Sequence, residues 1–138
     1  MNARIQHVSI PRPPGSGDET REFYSGLLGL QELPVPLSIQ HLDLVWFRVG
    51  DMELHCFSEE PVNDPSGRHF CLEVEDVEAI RARLVEAGYA PWNPEAIPGR
   101  PRFFCRDPFN NTIEFTSIVG NYLELQGDDD RRLTTDDR

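Results

Sequence analysis

The sequence predicts an α+β domain built from two similar halves, and three observations carry that expectation. The order strand, helix, hairpin occurs twice along the chain. Each copy contains one amphipathic helical stretch ending at a glycine, Gly29 and then Gly88. Histidine opens both copies and an acid-bearing strand closes both, with offsets of 62 residues from His7 to His69, 61 from Glu53 to Glu114, and 59 between the two glycines. Regular offsets of this size are the mark of an internal duplication. Two such units, each with one helix, are expected to form curved mixed sheets that face a cleft, with the helices covering their outer sides.

In the first copy, residues 4–10 alternate between Ile5, His7 and Ser9 on one side and Gln6, Val8 and Ile10 on the other, a strand pattern ending at Pro11. A loop of proline, glycine and serine leads to Asp18, where Phe23, Leu27, Leu28 and Leu30 recur at helical spacing, giving one helix of about three turns. Leu42–Val49 and Met52–Phe57 then flank the tight Gly50-Asp51 turn and read as a hairpin. The second copy follows a polar break at Glu59–Arg68. His69–Val74 is its strand and Val77–Ala87 its helix, with Val77, Ile80, Leu84 and Ala87 on one face, Asp76 as N-cap and Gly88 as terminator. Tyr89–Trp92 reads as a short strand, and Arg102–Arg106 with Thr112–Ser117 as the second hairpin. The expected organisation is therefore one domain over residues 1–120, with modules 4–58 and 69–118 joined by linker 59–68, and an acidic, flexible tail over 121–138.

Composition excludes several function classes. A chain of 138 residues holds one core of ordinary size. Its net charge of -11 and isoelectric point near 4.7 exclude nucleic acid and anionic membrane as partners, because a phosphate backbone would be repelled. The body stays acidic without the tail, with 18 acids against 10 bases, so a large anionic substrate needs a metal or a local arginine cluster. There is no lysine, which removes Schiff-base catalysis and the P-loop lysine. Cys56, Cys71 and Cys105 are odd in number and lie in apolar runs, reading as reduced packing thiols and a cytoplasmic setting. No run approaches the roughly 18 apolar residues of a membrane span.

The chemistry-bearing residues lie at matching stations of the two copies. Of four histidines, His7, His55 and His69 fall in predicted strands and His41 in a loop. Glu114 sits between Ile113 and Phe115, where a carboxylate facing a sheet interior requires a partner. A divalent cation is such a partner, and two imidazoles with one carboxylate are a common set for Fe, Mn, Ni or Zn. The duplication points to Glu53 as the fourth ligand, as the counterpart of Glu114. Glu53 and His55 share one side of their strand, so either can serve while the other orients a ligand or meets substrate.

Several runs together carry a resemblance: Ile5-Gln6-His7-Val8, Phe23-Tyr24-Ser25-Gly26-Leu27-Leu28-Gly29-Leu30, Glu53-Leu54-His55, His69-Phe70-Cys71-Leu72-Glu73-Val74, and Arg106-Asp107-Pro108-Phe109-Asn110-Asn111-Thr112-Ile113-Glu114-Phe115. Over residues 4–118 the chain resembles the vicinal oxygen chelate superfamily, which includes glyoxalase I, extradiol dioxygenases, and fosfomycin- and bleomycin-resistance proteins. The resemblance implies paired βαβββ modules around a divalent-metal cleft, and its Glu-Leu-His run favours His55 as the fourth ligand beside His7, His69 and Glu114. It further implies a homodimer and a small oxygenated substrate chelated through adjacent oxygens. Glu114 and Glu53 are then the candidate catalytic carboxylates. An alternative is a binding or sequestration protein of the bleomycin-resistance type, its groove lined by Trp46, Phe47, Trp92, Phe103 and Phe104. A third reading is an extradiol-type dioxygenase. Asn110 stands where the family usually has glycine, and asparagine tolerates the left-handed backbone such a turn needs.

Overall fold

A computed structural model describes residues 1–60 and 66–126. The core of the linker and the tail from residue 127, expected to be flexible, lie outside the described residues. The fold is α+β with two small open sheets and few helices. Among the described residues no helix is long and apolar enough to cross a membrane. The chain forms two compact units, one of residues 1–70 together with the turn Arg106–Thr112, the other of Cys71–Cys105 and the segment from Ile113 onward.

The first unit holds a four-stranded sheet in the order β1 (His7–Arg12), β4 (Met52–Ser58), β3 (Val45–Val49), β2 (Glu32–Leu33). β1 lies parallel to β4, while β3 is antiparallel to both of its neighbours. The first strand thus starts later than the alternation suggested and runs through Pro11 to Arg12. Its even-numbered residues carry the ladder, since Gln6 O accepts from the Glu53 N–H and Arg12 O from the Glu59 N–H. Pro11 falls where the backbone faces away from β4, so its missing N–H costs no ladder bond at this sheet edge. Its carbonyl accepts instead from Asn111 Nδ2 at 2.9 Å.

The first helix also departs from the regular three turns expected. α1 (Gly17–Arg21) passes into a π-helical stretch, Glu22–Leu27, in which the Leu28 N–H reaches back five residues to Phe23 O. The widened turn lets the consecutive residues Phe23 and Tyr24 both be buried, where Tyr24 packs against Phe47 of β3. A regular helix would have turned one of that pair further away. The Tyr24 hydroxyl donates to Asp107 at 2.7 Å, and Asp107 also accepts from the Phe109 and Asn111 N–H groups and from Asn111 Nδ2. Burial raises the Asp107 carboxyl above the ordinary range, against the pull of those bonds. At the turn's corner Asn110 adopts φ 75°, the left-handed conformation anticipated for it.

Arg12 is 1% exposed and is held from the loop before β3. Its guanidinium donates to both Asp43 carboxylate oxygens, at 2.6 and 3.4 Å, and to the Asp43 carbonyl at 2.9 Å. That guanidinium, joined by the Gly15 N–H, holds the Asp43 carboxyl below the usual carboxylate range.

The second unit holds a three-stranded sheet in the order β5 (Phe70–Glu73), β7 (Thr112–Thr116), β6 (Arg102–Arg106). α2 (Val77–Glu86) starts at Asp76, whose side chain accepts from the Ala79 N–H at 3.1 Å, and ends before Gly88 at φ 95°. Val77 and Leu84 are buried with Leu72, Phe103, Ile113 and Phe115, while Ala87, expected on the same face, is exposed. Trp92 forms a single two-bond bridge with Phe104, as β2 lies beside β3 in the first sheet. A final short helix, α3 (Tyr122–Leu125), closes against the loop before β6: a Cβ on Gly99 would meet Gly120 O at 2.6 Å, so only glycine permits that approach.

Candidate functional site

Strand alternation sorts each sheet into a packed face and an open face. In the first sheet Ile10, Arg12, Val45, Phe47, Leu54 and Cys56 point into the core. The opposite face carries His7, Ser9, Trp46, Arg48, Glu53 and His55, with His7 opposite Glu53, Ser9 opposite His55 and Trp46 opposite His55. Two of the residues expected to line a groove, Phe47 and Phe103, are therefore core residues with no exposure. Trp46, Trp92 and Phe104 lie on the open faces.

His55 sits in the middle of a three-ring stack. Its ring lies 3.6 Å from Trp46 at an interplanar angle of 5° and 4.0 Å from His7 at 17°. It is 9% exposed, and its Nε2–H donates to Glu53 Oε1 at 2.9 Å. Burial lowers the His55 pKa, and the carboxylate beside it offsets only part of that effect, so the ring is neutral near pH 7. The same bond, ahead of all other influences, holds Glu53 below the ordinary carboxylate range. In the neutral ring this bond fixes Nδ1 as the nitrogen with the lone pair.

The other two histidines are tethered through their opposite nitrogens. His7 Nδ1–H donates to Gln6 Oε1 at 2.7 Å, and His69, exposed just ahead of β5, donates from Nδ1–H to Gly67 O at 2.9 Å. With Nδ1–H engaged in this way, the neutral form of each ring carries its lone pair on Nε2. Anchoring one imidazole nitrogen to an oxygen acceptor is how metal-ligating histidines are held in tautomer and orientation.

In the second unit the Glu114 side chain is 13% exposed and is partnered by Arg102, 17% exposed, whose Nη1 lies 3.2 Å from Glu114 Oε2. Arg102 also donates from Nη2 to Glu95 O at 2.8 Å, while its buried Nε has no hydrogen-bond partner. Sequence reasoning missed this guanidinium. The sequence shows only that Arg102 and Glu114 sit in adjacent strands of one predicted hairpin; the register in the structure puts them on one face. Cys71 lies near this pair; partial desolvation, then the Glu114 charge, push its thiol up to about 11 although the residue is solvent-accessible. It is a neutral thiol at physiological pH.

Strand register sharpens the match between the two copies. The Asp107 N–H bonds Asn111 O and the Ser117 N–H bonds Pro101 O, which sets Phe104 opposite Glu114 across the second hairpin. In the first hairpin the aromatic Trp46 faces His55. The ladder therefore equates His55, rather than Glu53, with Glu114, and their spacing of 59 residues equals that of Gly29 and Gly88.

The donor set suits a divalent cation in kind: His7 and His69 through Nε2, His55 through a ring nitrogen, and the Glu114 carboxylate. Glu53 and Arg102 hold two of these four as protein partners, and among the described residues no three His, Cys, Asp or Glu side chains form one cluster.

Residues 4–115 match the model of the Glyoxalase/Bleomycin resistance protein/Dioxygenase superfamily. Among solved structures, the chain is similar to a protein described as of the glyoxalase family from Bacillus anthracis, with 30% identity, TM-score 0.79, and coverage of 86% of this chain and 97% of that one. It shares its fold with the fosfomycin resistance protein FosX from Listeria monocytogenes, with 13% identity, TM-score 0.75, and coverage of 91% and 100%. The fold is also that of TnmS3, an antibiotic binding protein from Streptomyces sp. CB03234, with 24% identity, TM-score 0.65, and coverage of 85% and 97%. No curated protein sequence matches the chain.

Proposed function

Because the chain belongs to the Glyoxalase/Bleomycin resistance protein/Dioxygenase superfamily, we propose that it is a divalent-metal-dependent, glyoxalase-like enzyme of lyase or isomerase type. Its substrate is a small metabolite with oxygens on adjacent carbons. The observation that carries this reading is the tethering of His7 and His69 through Nδ1, which commits each Nε2 to an acceptor of lone pairs. His7, His55, His69 and Glu114 would hold the cation, of Fe, Mn, Ni or Zn type. When bound, it supplies Lewis-acid polarisation of the two substrate oxygens, which acidifies a neighbouring C–H.

Proton movement then falls to the chain's carboxylates. Glu53, kept ionised by His55, is the group that accepts a proton at Oε and returns it to the adjacent carbon. Glu114, shielded from bulk water, is the second carboxylate of the set. Trp46 keeps the His55 ring in one plane and excludes water from one of its sides. Free thiols at all three cysteines accord with a reducing cytoplasm, and the working form is proposed to be a homodimer.

Metal analysis of protein purified without added chelator tests this reading. Stoichiometric divalent metal is expected in the wild type, with loss of most of it in His69→Ala and in His7→Ala. Metal-free wild-type protein, or unchanged metal content in His69→Ala, counts against it. A second reading, sequestration of a planar ligand, draws on the Trp46–His55–His7 stack and on the Trp92 ring stacked 5.5 Å from Phe104. It would be favoured by ligand affinity that survives chelation. The extradiol-type reading uses the same two-histidine, one-glutamate chemistry and would show as dioxygen uptake with a catechol.

A further inference from the structure

The Gln6 side chain is not where strand alternation puts it. In the sequence pattern Gln6 falls on the face opposite His7, yet β1 begins only at His7, and the Gln6 amide bonds two residues of the open face. Its Oε1 lies 2.7 Å from His7 Nδ1, and its side chain also hydrogen-bonds the Glu53 carboxylate. Its backbone carbonyl accepts from the Glu53 N–H at 3.0 Å, which holds the residue against β4. Gln6 is exposed, so apolar burial does not account for this conformation. The two polar contacts account for it.

The two ends of an amide are not equivalent, and that fixes the protons around it. An ionised carboxylate only accepts, so the Gln6 group turned to Glu53 is the Nε2 donor. Oε1 is then left for His7, whose Nδ1 must carry the hydrogen. Glu53 also accepts directly from His55 Nε2–H at 2.9 Å. One carboxylate therefore acts on both imidazoles, stacked 4.0 Å apart, but through opposite ring nitrogens. Without a partner a neutral histidine favours the Nε2–H form. The Nδ1–H form at the exposed His7 ring thus requires a group that holds it.

We propose that Gln6 is a positioning residue: through its amide the Glu53 carboxylate fixes His7 as the Nδ1–H tautomer while fixing His55 directly as the Nε2–H tautomer. The stacked rings then present different nitrogens, Nε2 of His7 and Nδ1 of His55, to an incoming ligand. The arrangement lies within the first unit and needs no residue of the second. It deepens the metal-dependent reading and rests on it only for what that ligand is.

Long-range proton–nitrogen NMR of the metal-free full chain reads the tautomer of each histidine, with the ring signals assigned by replacing each histidine in turn. Wild type is expected to show Nδ1–H at His7 and Nε2–H at His55. Gln6→Ala should turn most of His7 to Nε2–H and leave His55 as it is. Glu53→Leu should release His7 in the same way, although Glu53 does not bond that ring, because nothing then orients the Gln6 amide. His69, held by Gly67 O, is the internal reference and should keep Nδ1–H throughout. Nε2–H at His7 in wild type, or Nδ1–H retained there in either variant, overturns the inference. So does a change at His69 in step with His7, which would make the effect one of general structure. Zn(II) titration calorimetry adds a second readout, with affinity in Gln6→Ala expected to fall roughly tenfold. Wild type that takes up no Zn(II) fails the metal-dependent reading alone, and the tautomers of the metal-free protein still decide the role of Gln6.

Discussion

At one rung of the first hairpin an indole faces an imidazole, and at the equivalent rung of the second a phenyl ring faces a carboxylate. The backbone asks the same of both places: an aromatic side chain across the ladder from a polar one, on the open face of a small sheet. The polar groups answer differently because their charges differ. His55 is neutral and needs only stacking and one hydrogen bond, which Trp46, His7 and Glu53 provide locally. Glu114 carries a charge into a comparably sheltered place and requires a cation, which Arg102 supplies. The two hairpins offer matching places, and burial dictates what has to stand beside each polar group.

The largest expected contrast lies in the hairpin turns. Asp107 satisfies four donors, two of them side chains, so Asp107→Ala should cost roughly 3 kcal/mol by leaving buried donors unpaired. Asp51→Ala, in the exposed turn of the first hairpin, should change stability by no more than about 0.5 kcal/mol. Urea denaturation of both variants checks this, and comparable losses would show that the two turns are equally structural.

The paired rungs come next. Glu114→Leu strands the Arg102 guanidinium and should cost about 2–3 kcal/mol, less than for a fully buried pair because both groups retain some solvent. His55→Leu removes a hydrogen bond and ring stacking without stranding a buried cation, and should cost about 1 kcal/mol. A larger loss in His55→Leu would break the account of why the halves differ.

A finer test sets Asp43 against Asp107 by pH. The Asp43 carboxyl is lowered by Arg12, so its contribution is present above the unfolded value of about 4 and is lost as pH falls through the folded value. Asp43→Asn should therefore cost about 1–2 kcal/mol near neutrality, discounted for the solvent exposure of Asp43, and much less in acid. Asp107 is raised by burial, so its contribution is fully present below the unfolded value and declines as pH rises through the folded one. The gap between wild type and Asp107→Asn should consequently run in the opposite direction with pH. Denaturant midpoints collected from pH 3 to 7 would show two difference curves of opposite slope, and parallel curves would refute the assignment.

The smallest effect is expected at Asn110, where φ is already positive. Asn110→Gly should stabilise by about 0.5 kcal/mol, because asparagine already bears that conformation better than most residues.

Much of the fold was legible in local pattern. The Asp76 cap, the Gly88 terminator, both hairpins and the two-copy order all depend on residues a few positions apart. What escaped depends on distant partners. The π-helical stretch carries two consecutive buried rings, Phe23 and Tyr24, and Tyr24 bonds Asp107, 83 residues away in the chain. The passage of β1 through Pro11 depends on which edge of which sheet the strand occupies. Trp92 bridges Phe104 with a single pair of bonds, too short for any alternation to reveal. At the candidate site the residue types, and for His55 and Glu114 their strands, could be read directly, whereas His69 lies just ahead of β5. Arg102 was hidden because charge parity across a hairpin becomes meaningful only once the register is fixed, and the same register favours His55 over Glu53 as the counterpart of Glu114.

The chain has two tryptophans, one in each half: Trp46 on β3 and Trp92 in the bridge beside β6. Trp46 lies against the His55 imidazole, whereas Trp92 lies against the Phe104 ring, which faces Glu114. Indole emission is sensitive to a charge brought onto a ring in van der Waals contact and far less so to a neighbouring hydrocarbon. The molecule therefore carries its own optical gauge of what arrives at His55, with a second lamp in the other half as reference, and neither needs a label. Trp92→Phe isolates the first signal and Trp46→Phe the second, so each half can be watched on its own as metal or substrate is added.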